Sequence, residues 1–354
     1  MRVLIAPDSF KGTISNIEVA RAITEGWLSV RPEDQVFAIP MADGGEGTLE
    51  TIARQNEGAL RIPFHLNHET AWLLLQDGTA IVELADICGI TRLSKLEPLS
   101  ASTFDLGLVL KAATLDHSVK RIVIAVGGSA STDGGVGALI AMGADFLDSS
   151  GFPIALGGSG LRDLESINLD AIPPAPEGGV TCLVDVRNPL LGPLGSAAVF
   201  SPQKGADAAQ VQLLEAALTR LQEVSKHEDF PGAGAAGGTP FGLNLSWDIN
   251  LESGALAIAT MIGLYEAIAD TDLVITGEGR LDSQSAFGKV VGVVTDIAHQ
   301  FQKRVSYCVG SSELALGDKG VSLVEIAPSL EAAINNPYEW LVQAGAALAR
   351  RENS

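Results

Sequence analysis

Acidic, basic and hydroxyl side chains gather in a few glycine-bearing stretches of this 354-residue chain. The densest is Asp272 to Lys289. There a short apolar run, Leu273, Val274 and Ile275, passes through Gly277 and Gly279 into a turn carrying Glu278, Arg280 and Asp282. Ser283, Gln284 and Ser285 add polar groups, and Lys289 stands at the head of an apolar segment with helical character, Val290 to Ile297. Charge of both signs therefore falls where a buried strand meets a helix. Open α/β sheets bind ligands beyond the carboxyl ends of their strands, and helix N-termini there favour anions.

One such turn decides nothing, but four other stretches share its composition. Residues 7–12 hold Asp8, Ser9 and Lys11, and residues 40–48 set Asp43 and Glu46 around Gly44 and Gly45. Residues 127–135 carry Gly128, Ser129 and Asp133, and residues 185–205 run from Asp185 to Lys204. Phosphoryl transfer needs backbone amides for phosphate oxygens, carboxylates for magnesium, a cation over the transferring group and a positioned base for the acceptor hydroxyl. All four ingredients are present. A Walker pattern and the protein-kinase motif set are both missing, so a kinase built from these loops uses another nucleotide-binding scheme. Other chemistries lack their residues: there is no Gly-x-Ser-x-Gly elbow and no HExxH pair among the five histidines.

The loops must be held by regular elements, and the apolar spacing supplies them. Arg2 to Ala6 reads as a buried strand, followed by a helix with Ile17, Ala20, Ile23 and Trp27 on one face and Thr13 or Ser15 as its cap. Val36 to Ile39 is a second strand, with a helix over Leu49 to Arg54. Residues 60–84 suggest an antiparallel hairpin, Phe104 to Leu115 a helix, and Arg121 to Val126 another buried strand leading to a helix from Val136. Residues 146–176 read as a loop or domain connection, Val180 to Val184 as a strand, and the spacing of Val211, Leu214, Leu218 and Leu221 as a helix. His227 to Leu245 reads as irregular and Leu251 to Ala269 as helical. Further short apolar runs follow at Val305 to Val309 and Ser322 to Ala327, and Asn336-Pro337 opens a closing helix. Gly232, Gly234 and Gly237 match a dinucleotide fingerprint formally, but the polar residues before them cannot be the strand it requires. The two chain ends share a βα grammar, so the expected class is α/β with the middle inserted: an outer domain of 1–80 and 271–354, and an inserted domain of 81–270.

Composition narrows the partners. With 23 Lys and Arg against 43 Asp and Glu, the net charge of −20 argues against nucleic-acid binding, and an anionic substrate must meet local cations or metal ions. Cys88, Cys182 and Cys308 stand far apart, which indicates neither a disulfide framework nor a zinc site. No stretch approaches the roughly eighteen apolar residues of a membrane span, and nothing reads as targeting. The expected setting is the cytoplasm, with no membrane partner.

Taken together, these stretches resemble the bacterial glycerate kinase family. The resemblance rests on APDSFKGT at Ala6 to Thr13, PMADGGEGT at Pro40 to Thr48, GGSASTDGG at Gly127 to Gly135 and DVRNPLLG at Asp185 to Gly192. It continues with PQKGA at Pro202 to Ala206, PGAGAAGG at Pro231 to Gly238 and ITGEGRLDSQSAFGK at Ile275 to Lys289. Thr132 and Ser201 depart from the family's more usual Asn and Gly. The resemblance implies two α/β domains, an outer flavodoxin-like one from both chain ends and an inserted restriction-enzyme-like one, in a monomer or homodimer. It implies ATP-dependent, magnesium-supported phosphorylation of D-glycerate at the 2- or 3-hydroxyl, and the expected product is 2-phosphoglycerate. The 3-phosphoglycerate product, another small hydroxy acid as acceptor, and a non-catalytic sugar-acid or nucleotide sensor stand as alternatives.

Within that reading the candidate base is Asp185, with Asp8 and Asp43 behind it. The glycerate carboxylate falls to Arg280, Lys11 or backbone amides, and Lys289 and Lys204 are the phosphate contacts. Magnesium falls to Asp282, Glu278 or Asp185. Ser9, Gly44, Gly45, Gly128 and Ser129 complete the substrate- and phosphate-binding set.

Overall fold

The computed structural model describes residues 1–282 and 289–352, so Ser283, Gln284 and Ser285 lie outside the described residues. The chain is mixed α/β and divides into two compact units. Met1–Asp43, Glu50–Glu57 and the chain from Ser253 onward make one, and Gly44–Leu49 with Gly58–Glu252 the other.

The unit made from the chain ends carries a five-stranded, wholly parallel sheet in the order Gly320–Ser322, Arg304–Val309, Leu273–Thr276, Arg2–Ile5, Gln35–Ala38. Val3, Leu4, Ile5, Val274 and Ile275 are almost wholly buried, as strands covered on both faces require, which is why they read as unbroken apolar runs. The helix Asn16–Val30 buries Val19, Ala20, Ile23 and Trp27. Ser15 is its cap: the Ser15 hydroxyl accepts the Glu18 N–H and the Glu18 carboxylate accepts the Ser15 N–H, each at 3.3 Å. It packs against the closing helix Pro337–Arg351 through a core that includes Leu341, Ala344 and Leu348. The helix Val290–Gln300 covers the strands Leu273–Thr276 and Arg304–Val309. From Arg2–Ile5 the chain moves to the strand on one side, whereas the strands after residue 270 are laid down on the other side. The sheet order therefore reverses between Arg2–Ile5 and Leu273–Thr276, and a crevice opens beyond the carboxyl ends of strands at such a point.

The other unit carries six strands in the order Ile249–Glu252, Val180–Leu183, Arg121–Ala125, Thr79–Glu83, Glu69–Leu74, Leu60–His65. The first four are parallel and the last two antiparallel, so the predicted hairpin is present at one edge. Helices Phe104–Leu115, Val136–Met142 and Ala208–Ser225 contribute to its core with Leu106, Leu139 and Leu218.

Several expectations need correction. The anticipated division at 80/81 cuts the strand Thr79–Glu83, whose backbone pairs with the next parallel strand at Ala80 with Ile122 and Ile81 with Val123. That pairing keeps the whole hairpin with residues 58–252. Leu251 to Ala269 is not one helix. Ile249–Glu252 is an edge strand whose residues alternate in exposure, helix starts at Gly254, and Gly263 at φ 69° separates Gly254–Met261 from Leu264–Ala269. Four residues are too few for period 2 to outweigh the apolar run behind them. The region His227 to Leu245 contains a short helix, Thr239–Asn244, with Pro240 in its first turn. The run Ser322 to Ala327 divides between the strand Gly320–Ser322 and the helix Leu323–Ile326. No helix among the described residues is long and apolar enough to cross a membrane.

Candidate active site

The loops beyond the carboxyl ends of the parallel strands Arg2–Ile5, Leu273–Thr276 and Arg304–Val309 are laced together by backbone hydrogen bonds. Asp8 N–H donates to the Gly277 carbonyl at 2.8 Å, and Gly310 and Ser311 N–H donate to the carbonyls of Glu278 and Gly279 at 3.0 Å each. The Thr276 hydroxyl donates to the Ala6 carbonyl at 2.9 Å, and Met41 N–H to that of Pro7 at 2.8 Å. A side chain at Gly277 would start 1.7 Å from the Cys308 carbonyl oxygen, so the Thr-Gly-Glu-Gly turn needs glycine there for backbone to pass backbone.

Asp8 and Glu278 stand on the two loops that flank the sheet's reversal point, and both are buried, each 8% exposed. Between and around them lies a cavity of ≈ 370 Å³, within the usual range for a small-molecule site. Asp8, Ser9, Lys11 and Asp43 line it from one part of the chain, and Glu278, Arg280 and Lys289 from another. The predicted residues of this unit thus converge, Asp282 excepted, which does not line the cavity.

Burial, chiefly, and the neighbouring Asp43 raise the Asp8 carboxyl from the ordinary 3.8 to about 7. Glu278 pushes in the same direction, while Lys11 and the hydrogen bond from the Ser9 N–H oppose it. That bond is 2.7 Å long, and the Lys11 ammonium sits 2.7 Å from the Asp43 carboxylate. Arg280 reaches out to an ion pair with Glu313, both largely exposed. Lys289 occupies the N-cap position of the helix Val290–Gln300. A buried carboxyl poised near neutrality beside long-armed cations is suited to taking a proton from a hydroxyl while an anion is held alongside.

The remaining predicted residues belong to the other unit. Gly127 N–H donates to the Gly44 carbonyl at 2.9 Å, and a side chain on Gly127 would start 2.7 Å from Gly45 Cα, so the two glycine loops meet backbone to backbone. Lys204 lies in the same cluster, 3% exposed, its ammonium donating to Ser129 Oγ at 2.8 Å and to the Ser131 carbonyl at 2.5 Å. Burial lowers its pKa from 10.5 to about 8. Two of its three N–H donors are thus spent on the 127–135 loop. Asp185 is exposed, two residues past the end of the strand Val180–Leu183. Thr132 is wholly buried, and Ser201 Oγ donates to the Ala197 carbonyl at 2.5 Å.

Two residues organise this unit's loops without having stood out in the sequence as site residues. Asp133 accepts the Thr103 N–H at 2.8 Å, the Thr103 hydroxyl at 2.9 Å and the Gly135 N–H at 3.2 Å, tying together the starts of two helices. Glu83, at the end of its strand and 4% exposed, accepts the N–H groups of Gly47 at 3.0 Å and Leu49 at 2.8 Å. Burial raises its carboxyl from 4.5 to about 7 against the pull of those two bonds. The one available signal was a glutamate closing an otherwise apolar strand, Thr79–Glu83, whose every residue is buried.

Comparison with known proteins identifies the family. Residues 3–352 match the family model described as the glycerate kinase family. The chain is 38% identical over 327 residues to the glycerate 2-kinase of Escherichia coli K12, covering 88% of this chain and 85% of that one. It is 35% identical over 365 residues to the glycerate kinase of Bacillus subtilis 168, covering 96% and 95% respectively. The crystal structure of a candidate glycerate kinase 2 from Salmonella typhimurium LT2 is similar with a TM-score of 0.78 at 34% identity, covering 100% of this chain and 98% of that one.

Proposed function

The chain belongs to the glycerate kinase family, and we propose that it transfers the γ-phosphoryl group of ATP to the 2-hydroxyl of D-glycerate, in the cytoplasm, with Asp8 as the general base. The observation that carries the reading is the buried Asp8 carboxyl, raised to about 7 at the reversal point of a parallel sheet and opening on a cavity with three cations, Lys11, Arg280 and Lys289. Asp8 is favoured over Asp185 because Asp8 combines burial, a pKa near working pH and a place in that cavity. Asp43 shares the site, and its pairing with Lys11 suits it to orienting that ammonium.

Glycerate's carboxylate is assigned to Lys11 and Arg280, which brings its hydroxyl toward Asp8. Asp8 accepts the hydroxyl proton as that oxygen attacks the γ-phosphorus, and the bond from phosphorus to the β,γ-bridging oxygen breaks to release ADP. Lys289, at a helix N-terminus, stands against the phosphates, where the positive end of the helix adds to its charge. Among the described residues no three His, Cys, Asp or Glu side chains gather in a group able to hold a metal. Magnesium usually arrives on the nucleotide and keeps several waters, so one or two carboxylates suffice to hold it. Glu278 would hold it, with Asp282 four residues on, and the ion would neutralise charge on the phosphates. Assignment to the 2-hydroxyl follows the similarity to the Escherichia coli protein named glycerate 2-kinase.

The test is ADP release with D-glycerate and a panel of other small hydroxy acids, followed by phosphorus NMR of the product. D-Glycerate is expected to give the highest kcat/KM and 2-phosphoglycerate the product resonance. Absence of turnover with every acid would refute the kinase reading, and a 3-phosphoglycerate resonance the regiochemistry.

A further inference from the structure

The cavity has a second, chemically different wall. Past the charged residues, towards the edge strand Gly320–Ser322, it is lined by Leu323, Val324, Leu330, Ala333, Ile334 and Pro337, none with a polar side-chain atom. Leu330 and Ile334 are 61% and 52% exposed. They stand four residues apart on the helix Leu330–Asn335, and so share one of its faces. Single exposed aliphatic residues need no explanation, but an exposed pair on one helical face lining a charged cavity does. A three-carbon hydroxy acid has no apolar surface to place against such a wall, and it occupies only a fraction of ≈ 370 Å³.

We propose that this aliphatic wall is the nucleobase subsite, taking the flat face of the donor's purine while the phosphates extend towards Lys289. The inference rests on the kinase reading and goes beyond it by fixing where the base lies and how it is recognised. The lining combines an aliphatic part with a cationic part, as a ligand with an apolar ring and an anionic chain requires. Because the wall offers contact area and no side-chain donor or acceptor, it recognises a ring by its face. Discrimination that relies on hydrophobic contact alone is shallow, whereas strong rejection needs buried hydrogen-bonding groups matched to one ring edge. The site therefore accepts adenine and guanine nucleotides with kcat/KM values within about tenfold of each other.

The experiment is calorimetric titration of MgADP into the wild type and into Leu330→Ser and Ile334→Ser, with circular dichroism to verify folding, alongside steady-state kinetics. Both side chains are largely exposed, so their loss spares the core. The expected result is an ADP dissociation constant raised about five- to tenfold in each variant, a parallel rise in KM for ATP, and KM for D-glycerate within twofold of the wild type. An unchanged ADP affinity in both folded variants, or a rise confined to KM for glycerate, would overturn the proposal, as would failure of the wild type to bind ADP. If the wild type binds ADP in a wall-dependent way but turns over no hydroxy acid, the kinase reading fails while the subsite stands.

Discussion

At pH 8 the folded chain must ionise Asp8 in surroundings that raise its carboxyl to about 7, whereas the unfolded chain ionises it near 3.8. Each pH unit between those values is worth about 1.4 kcal/mol, so the ionised group costs the fold on the order of 4 kcal/mol once both states have lost the proton. The sign follows from proton counts. Between 3.8 and about 7 the folded state keeps a proton that the unfolded state has released, so stability falls as pH rises through that window and levels off above it. At pH 5 only the first part of the window has been crossed, and the cost is below about 2 kcal/mol. Asp8→Asn removes the ionisation and keeps an oxygen to accept the Ser9 N–H. The variant should therefore be more stable than the wild type at pH 8, and its advantage should shrink by about 2–3 kcal/mol at pH 5. Glu83 titrates in the same range, but it is common to both proteins and cancels in the difference. Urea unfolding at the two pH values without nucleotide measures the effect directly. Turnover of D-glycerate should fall by about 10²- to 10⁴-fold, the usual worth of a general base, so stability rises as activity is lost. A stability difference that is the same at pH 5 and pH 8, or a less stable variant at pH 8, would refute the electrostatic argument. Near-normal turnover would remove Asp8 as the base.

Lys11→Met breaks the pair with Asp43 and removes one cation from the site; KM for D-glycerate should rise at least tenfold while stability changes by less than about 1 kcal/mol, because the ammonium is largely exposed. Glu83→Ala leaves the Gly47 and Leu49 N–H groups buried without their acceptor. It should lower stability by about 1–3 kcal/mol in urea unfolding at pH 6, with Glu83→Gln recovering part of the loss through its remaining oxygen. The Glu83 carboxyl is raised to about 7, so Glu83→Gln should compare better with the wild type as pH climbs from 5 to 8. Lys204 is held at about 8, and its folded form sheds the proton before the unfolded chain does; wild-type stability relative to Lys204→Met should rise between pH 8 and pH 10. Thermal unfolding across that range checks the slope.

The composition of the candidate site's loops was legible in the sequence because their requirements are local. A loop that must turn sharply at a strand end and present acids and cations writes glycine, carboxylates and a Lys or Arg side by side, as residues 7–12 and 276–282 do. The central strands were equally plain, since burial on both faces leaves nothing but aliphatic residues in Val3 to Ile5 and Leu273 to Ile275. Features set by pairing between distant segments were not legible. The strand Ile249–Glu252 is too short to declare a period, and its neighbour Val180–Leu183 is remote in sequence. The allegiance of the hairpin at residues 60–83 is fixed by the ladder from Thr79–Glu83 to Arg121–Ala125, which no residue type announces. The same limit separated the candidate residues. Composition alone could not say that Asp8, Asp43 and Glu278 would surround one cavity, that the Lys204 ammonium would turn inward onto Ser129, or that a buried Glu83 would hold the Gly47–Leu49 backbone. Residue types specify which chemistry a loop can do. Which loops share a site, and how far burial shifts a carboxyl such as Asp8, is decided only when long-range packing sets distances and excludes water.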